Sequence, residues 1–248
     1  MTRTILITGS SRGIGASTAL LAAKQGYNVC VNYLQNQEAA EKIVDQINNN
    51  GGKATAYQAD VSLEKDVIAL FSKIDKDFGP LTALVNNAGI LEQQSRVENM
   101  DLSRLLRVIN SNIISCFLCS REAIKRMSTK YGGRGGAIVN VSSIAARTGS
   151  PNEYVDYAAS KGAVDAFTLG LSKEVAEEGI RVNAVRPGFI YTDIHASGGE
   201  PNRVDRIKNT IPMKRGGQPE EVAHAILWLL SDEASFSTGT FIDITGGR

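Results

Sequence analysis

Short apolar runs alternate with stretches of helical periodicity along the whole chain, and that alternation leaves few folds open. The run TILIT leads into GIGASTALLAAKQG, NVCVNY into EAAEKIVDQINNN, and KATAYQAD into EKDVIALFSKIDKDFG. TALVNN then precedes a long helical stretch from about Ser103 to Met127. GAIVNVSS precedes the helix that holds Tyr157, and IRVNAVRP, PEEVAHAILWLL and TFIDI complete the series. Strands separated by helices of this length need right-handed crossovers, which give a parallel sheet with helices on both faces. The strands are nearly continuous Ile, Val and Leu runs, as burial on both faces requires. With 248 residues the chain has room for one large α/β domain or two small ones. No linker-like shift in composition and no internal repeat divides it, so a single doubly wound α/β domain over 1–248 is expected.

Composition removes several function classes. The formal net charge is +1 with no run of Lys or Arg, which argues against a phosphate-neutralising nucleic-acid surface. No apolar run approaches the ~20 residues of a membrane span. MTRTILITGS reads as a strand entering a glycine loop rather than as a secretory leader, and a cytoplasmic location is expected. Three cysteines argue against a disulfide framework. Cys116 and Cys119 form a CxxC, but no second Cys pair or His cluster completes a metal site, so two buried helix thiols and no metal are expected. Neither His195 nor His224 lies in a nucleophile-elbow context.

ITGSSRGIGASTALLAAKQG puts Gly9, Gly13 and Gly15 between the first strand and the first helix. Glycines there let the backbone turn tightly and let a pyrophosphate approach the helix N-terminus, where free N–H groups and the dipole favour negative charge. The spacing is GxxxGxG rather than GxGxxG, and no Gly-Lys-Ser/Thr follows, which excludes a P-loop. A dinucleotide is the expected ligand, with Ser11, Arg12 and Ile14 completing the loop. NAD enzymes of this architecture commonly place an acidic residue after the second strand to bind the ribose 2′-hydroxyl. Here Asn32 and Tyr33 stand there. Without that carboxylate a 2′-phosphate is not repelled, and Arg12 can pair with it. NADP(H) is preferred, while Asn32 can also hydrogen-bond an unphosphorylated ribose and keeps NAD open.

Taken in order, Thr8-Gly-x-x-x-Gly-x-Gly15, NNAG from Asn86 to Gly89, Ser143 with Tyr157-x-x-x-Lys161, and RPGFIYT from Arg186 to Thr192 resemble the short-chain dehydrogenase/reductases. The resemblance covers essentially the whole chain. VNNAGIL, GSPNEYVDYAASKGA and RPGFIYTDIHASGGEP are most similar to a branch labelled glucose-dehydrogenase-like oxidoreductases, a label that does not imply a sugar substrate. It implies a Rossmann-type fold, hydride transfer between NADP(H) and a small-molecule carbonyl or secondary alcohol, and a homotetramer. By the same resemblance Asp60 and Val61 lie against the adenine. Asn86, Ala88 and Gly89 support the adenosine ribose and the central sheet, with Ile90 beside the cofactor. Ile190 and Thr192, after Pro187 and Gly188, fix the nicotinamide carboxamide. Asn112 aligns with the family's structural-water Asn and Ser143 with its catalytic Ser. The interval from Ser143 to Tyr157 is one residue longer than usual, and Ser142 is adjacent. Strand alternation lets only one of the two face a pocket, and aligning AIVNVSS selects Ser143. Thr245 stands where relatives often carry Asp, which touches end contacts rather than chemistry.

The residues give the resemblance a chemical meaning. Tyr157 and Lys161, four apart on a helix, share a face. Hydride transfer to a ketone leaves an alkoxide that needs a proton, and the reverse reaction needs that proton removed. An isolated tyrosine, with a pKa of about 10, is a poor base near neutrality, and a nearby ammonium favours phenolate. Tyr157 is the expected general acid/base. Lys161 is expected to hold the nicotinamide ribose, Ser143 the substrate oxygen, and Asn112 a water that refills the proton. Tyr154 has no Lys four residues on and reads as packing or a pocket wall, and Arg186 as a strand-end contact. GFIYTDIHASGGEPNRVDRIKNTIPMKRGG is the most irregular stretch, and a segment this long is more often a lid or binding loop than a random excursion. Residues 193–215 are expected to form one wall of the substrate pocket. Two other readings stay open, a NAD-dependent sugar or polyol dehydrogenase and a non-catalytic dinucleotide-binding protein. The latter would be expected to lose Tyr157, Lys161 or Ser143.

Overall fold

Each apolar run becomes a strand in the computed structural model, which describes residues 3–248. Met1 and Thr2 of the N-terminal stretch lie outside the described residues. The strands are β1 (Arg3–Ile7), β2 (Tyr27–Tyr33), β3 (Lys53–Gln58), β4 (Ala83–Asn86), β5 (Gly136–Val141), β6 (Ile180–Pro187) and β7 (Phe241–Ile244). All pair in parallel, in the order β3-β2-β1-β4-β5-β6-β7. From β1 the chain first builds outward through β2 and β3, then returns to add β4 on the other side. That reversal opens a crevice at the carboxyl ends of β1 and β4, where sheets of this kind bind ligands.

The helices are α1 (Gly13–Lys24), α2 (Gln37–Asn49), α3 (Glu64–Phe78), α4 (Leu102–Ile109), α5 (Ser115–Met127), α6 (Ala145–Thr148), α7 (Val155–Glu174), α8 (Ile194–Ser197), α9 (Arg203–Ile207) and α10 (Pro219–Leu230). Strand alternation sorts the apolar residues into two cores. Ile5, Ile7, Val29, Val31 and Val139 pack with Ala19 and Ala22 of α1 and Val222 and Ile226 of α10. Leu6, Cys30, Leu84, Ile138 and Val182 point the other way, onto Phe71 and Ile74 of α3, Ala123 of α5 and Leu171 of α7. The expected α/β architecture, a doubly wound parallel sheet with helices on both faces, is therefore the observed Rossmann-like fold.

Two stretches differ from the sequence expectation. The helical stretch near 103–127 runs from Leu102 to Met127, but a single wide π-type turn at Asn110–Ile114 separates α4 from α5. Such turns insert a residue into the helix and re-aim the side chains on either side. By length and composition this helix is also long and apolar enough to cross a membrane, contrary to the expectation that no apolar stretch comes near. Its apolar residues are interrupted by Arg, Asn and Ser, so no unbroken apolar run marks it. One side of it packs on the sheet through Cys119, Ala123 and Met127, and carries the buried Arg104 and Glu122. The irregular segment after β6 is more ordered than expected, holding α8, α9 and a parallel bridge between Ile190 and Gly217.

Candidate active site

A cavity of about 1100 Å³ opens at the carboxyl edge of the sheet, lined by the segments that follow β1 through β6. After β1 the chain turns through Gly9 and Gly13, at φ of 61° and 55°, a left-handed region that side chains disfavour. No side chain caps α1, so the N–H groups of its first turn remain available to an anion. The loop is fixed from behind. The Thr8 hydroxyl accepts from the main-chain N–H groups of Asn87 and Ala88, each at 2.9 Å. The Asn87 amide donates back to the carbonyls of Thr8 and Gly9 at 2.9 and 3.0 Å. Gly15 does not line the cavity; a Cβ there would lie 2.6 Å from Asn87 Nδ2, so its role is close approach. Across the crevice, a Cβ on Gly13 would stand 3.3 Å from Thr192 Cγ2, so the two walls nearly touch.

At the β2 end the structure corrects one expectation. Asn32 lines the cavity but is 2% exposed, and its amide is already bonded. Oδ1 accepts from Gly9 N at 3.1 Å, and Nδ2 donates to the carbonyls of Tyr57 and Ala59 at 3.3 and 3.1 Å. The amide ties the glycine loop to the end of β3 and has no hydrogen to offer a ribose. Tyr33, Val61 and Asp60 line the same end. Asp60 Oδ1 accepts from the main chain and hydroxyl of Ser62, at 2.9 and 2.6 Å. Arg12 is exposed at the rim and has no ion pair among the described residues.

The other end of the cavity gathers Ser143, Tyr157 and Lys161. Lys161 Nζ lies 5.5 Å from the centre of the Tyr157 ring and donates to the Val141 carbonyl at 2.8 Å. Both serines line the cavity, because β5 ends at Val141 and strand alternation no longer governs them. Their hydrogen bonds differ. Ser142 donates to the Lys161 carbonyl at 3.2 Å, fastening α7 to β5. Ser143 Oγ accepts from Ala145 N at 3.1 Å, which leaves its own proton free. Asn112 is wholly buried and does not line the cavity. Its amide bonds both main-chain groups of Ile90, at 2.8 and 3.1 Å, and donates to Ser160 at 3.0 Å. A Cβ on Gly89 would sit 3.2 Å from Asn112 Oδ1 and 3.6 Å from Lys161 Nζ, so glycine there lets the two come together.

The segment 193–215 lies over this end as a strap. Tyr154 donates its hydroxyl to the Gly198 carbonyl at 3.0 Å, and Arg203 pairs with Glu153. The Arg203 guanidinium lies 4.7 Å from the Tyr154 ring centre. His195, at 9% exposure, bonds the Ile190 carbonyl through Nε2 at 3.0 Å, while its Nδ1 has no partner among the described residues. Burial pushes this imidazole below its ordinary pKa, and the Ile190 carbonyl opposes that only in part. The expected buried helix thiols are present: burial raises the Cys119 thiol well above an ordinary thiol and raises that of Cys116 too.

A family model described as Enoyl-(Acyl carrier protein) reductase matches residues 9–248. The chain belongs to the short-chain dehydrogenase/reductase family. It is 63% identical over 243 residues, 98% of each chain, to the uncharacterized oxidoreductase YgfF of Escherichia coli (strain K12). It is 38% identical over 247 residues, all of this chain and 98% of the relative, to the 3-oxoacyl-(acyl-carrier-protein) reductase FabG of Staphylococcus aureus. A 3-oxoacyl-(acyl-carrier-protein) reductase of Synechocystis is 40% identical over 243 residues, 98% of this chain and 95% of its own.

For this short-chain dehydrogenase/reductase, the cavity brings together Gly9, Ser11, Arg12, Gly13, Ile14, Asn32, Tyr33, Asp60 and Val61 at one end. Ala88, Gly89, Ser143, Tyr157, Lys161, Pro187, Gly188, Ile190 and Thr192 line the rest. Gly15, Asn86 and Asn112 stand behind it. Asn86 donates to Ser120 at 3.0 Å and to Asn140 at 2.8 Å, so it supports the central sheet and has no face toward a ribose. Gly188 packs against Thr245, with 3.0 Å between a Cβ built on it and Thr245 Cα. Arg186 is the strand-end contact expected, pairing with Asp165 at 2.9 Å and lying 4.0 Å from the Phe241 ring centre. Sequence reasoning passed over Asn87, although NNAG contains it, and Glu153 and Arg203, which no periodicity marks.

Proposed function

We propose that this oxidoreductase transfers hydride between NADP(H) and a carbonyl or secondary alcohol, with Tyr157 as the general acid/base. The observation that carries the reading is the convergence of Ser143, Tyr157 and Lys161 on one end of a cavity whose other end is an uncapped helix N-terminus behind a glycine turn. A nicotinamide dinucleotide suits that cradle and, when bound, supplies or accepts the hydride. The first-turn N–H groups of α1 hold its pyrophosphate. Arg12, with no ion pair among the described residues, pairs with a 2′-phosphate, and the inward-bonded Asn32 amide leaves an unphosphorylated ribose without its expected partner there. Asp60 and Val61 receive the adenine, and Pro187, Gly188, Ile190 and Thr192 the carboxamide. The free Ser143 hydroxyl donates to the substrate oxygen, and the Tyr157 phenol delivers its proton to that oxygen in reduction and removes it in oxidation. Lys161 holds the ribose beside Tyr157, and Asn112 fixes the Ile90 backbone and the Ser160 hydroxyl behind them.

The whole chain forms one such unit, with 193–215 as its substrate wall. Relatives named as 3-oxoacyl-(acyl-carrier-protein) reductases make acyl ketones the first class to test. The buried, unpaired cysteines suit a reducing cytoplasm. Leu102, Leu106 and Phe117 on the outer side of α4 and α5, with Leu169 of α7, leave apolar surface that a homotetramer would cover.

Substituting Tyr157 by Phe is expected to leave NADPH binding intact, read by fluorescence quenching, while abolishing turnover in a screen of 3-oxo esters, sugars, steroids and quinones. Substantial residual turnover would mean that another group moves the proton. NADH binding as tight as NADPH would overturn the cofactor preference.

A further inference from the structure

Beside the Tyr157 end of the cavity lies a buried ion pair that the proposed chemistry does not use. Arg104 of α4 and Asp156 of α7 meet Nε to Oδ2 at 2.7 Å and Nη2 to Oδ1 at 3.3 Å. Their side chains are 10% and 3% exposed. Arg104 Nη1 also donates to the Gln93 carbonyl at 2.6 Å, and Asp156 Oδ1 also accepts from the main-chain N–H of Tyr157 at 2.9 Å. The loop before α4 is held to the same place, because Ser95 N donates to the Glu153 carbonyl at 2.9 Å. A buried pair of this kind adds little stability over a well-packed apolar pair. Its value therefore lies in geometry rather than in net stability.

The geometry at stake is the start of α7. No side chain caps this helix at Tyr154, so its first turn would otherwise be free to fray, and Tyr157 lies in that turn. Proton transfer needs the phenol within about 2.6–3.2 Å of its partner, and a displacement of about 1 Å can cost on the order of a hundredfold in rate. We propose that Arg104 and Asp156 are positioning residues for Tyr157. They clamp the first turn of α7 to α4 and to the 93–95 loop, so the phenol keeps a fixed place relative to Ser143 on the β5 side. This rests on the reading of Tyr157 as the acid/base.

The test compares Arg104→Met, Asp156→Asn, Arg104→Lys and the charge-free double variant Arg104→Met/Asp156→Leu, with NADPH and the best carbonyl substrate of the screen. Each single neutralisation should lower kcat about 30-fold or more, with KM and NADPH affinity within threefold. Arg104→Lys should recover part of the loss. The double variant should be no worse than the worse single, since the two residues act as a unit. Hydrogen exchange should quicken at 93–96 and 153–160 and not in the strands. A kcat within threefold of the parent, or unchanged exchange at 153–160, overturns the proposal. A kcat loss matched by equal losses in KM and cofactor binding overturns it too, because that is general collapse of the site. If a single variant fails to fold, the double variant, which buries no lone charge, decides by the same criteria. Tyr157→Phe separates the two readings. If it stays active, the acid/base assignment fails; if it is dead while folded clamp variants are fully active, only the clamp fails.

Discussion

At the scale of single residues, Asn32 and Arg12 carry opposite lessons about the cofactor end. Both stand where a cofactor ribose would be read, but Asn32 turns its amide inward and Arg12 keeps its charge outward. Arg12→Gln is expected to weaken NADPH binding by about 10- to 100-fold, the worth of one charge-assisted hydrogen bond, while NADH affinity changes little. Asn32→Asp has a different expected outcome. A carboxylate there would face the carbonyls of Tyr57 and Ala59 with no hydrogen to donate, at a cost of about 1–3 kcal/mol for each unmet group. Thermal unfolding of that variant should fall by several degrees. An unchanged melting temperature together with a switched cofactor preference would show the hydrogen-bond reading to be wrong. The candidate site was largely legible at this scale, since most of the expected residues line one cavity. Asn32 was not, because its partners are 23 to 27 residues away and only folding brings them within bonding distance.

At the scale of elements, the strap over the Tyr157 end of the cavity is tied to the residues just before α7 through Tyr154 and Arg203, and it buries His195 with Nδ1 unpartnered among the described residues. The folded imidazole has a lowered pKa, so in acid the unfolded chain binds a proton that the folded chain does not. Stability then rises with pH across that interval. Lowering pH from 7 through the ordinary histidine range, near 6.5, should therefore destabilise the protein. His195→Gln should remove part of that pH dependence when melting temperature is followed from pH 7 to 5. An identical profile in the variant would mean that another group titrates. The sequence marked this segment only as irregular, because four- and five-residue helices are too short to leave a period.

At the scale of the molecule, the two apolar cores of the described residues lie beside exposed apolar side chains on α4, α5 and α7. Phe117, half exposed, packs its ring 4.2 Å from that of Phe167 at the outer edge of α5 and α7, and Leu106 is exposed on α4. If a homotetramer covers this face, Phe117→Glu would put an unpaired charge into the contact, which is strongly unfavourable. Light scattering coupled to gel filtration should then give a tetramer for the parent and a smaller species for the variant. A parent that runs as a monomer would exclude the assembly.

The sequence by itself determined the parallel sheet, its double winding and the family. Apolar periodicity is a local property, and it fixes which face of each strand and helix must leave water. Tertiary structure alone decided which serine keeps a free proton, where the Asn32 amide bonds and that Arg104 meets Asp156 across 52 positions. Hydrogen bonds and ion pairs act over about 3 Å, and no pattern of neighbours along a chain records which distant groups will come that close.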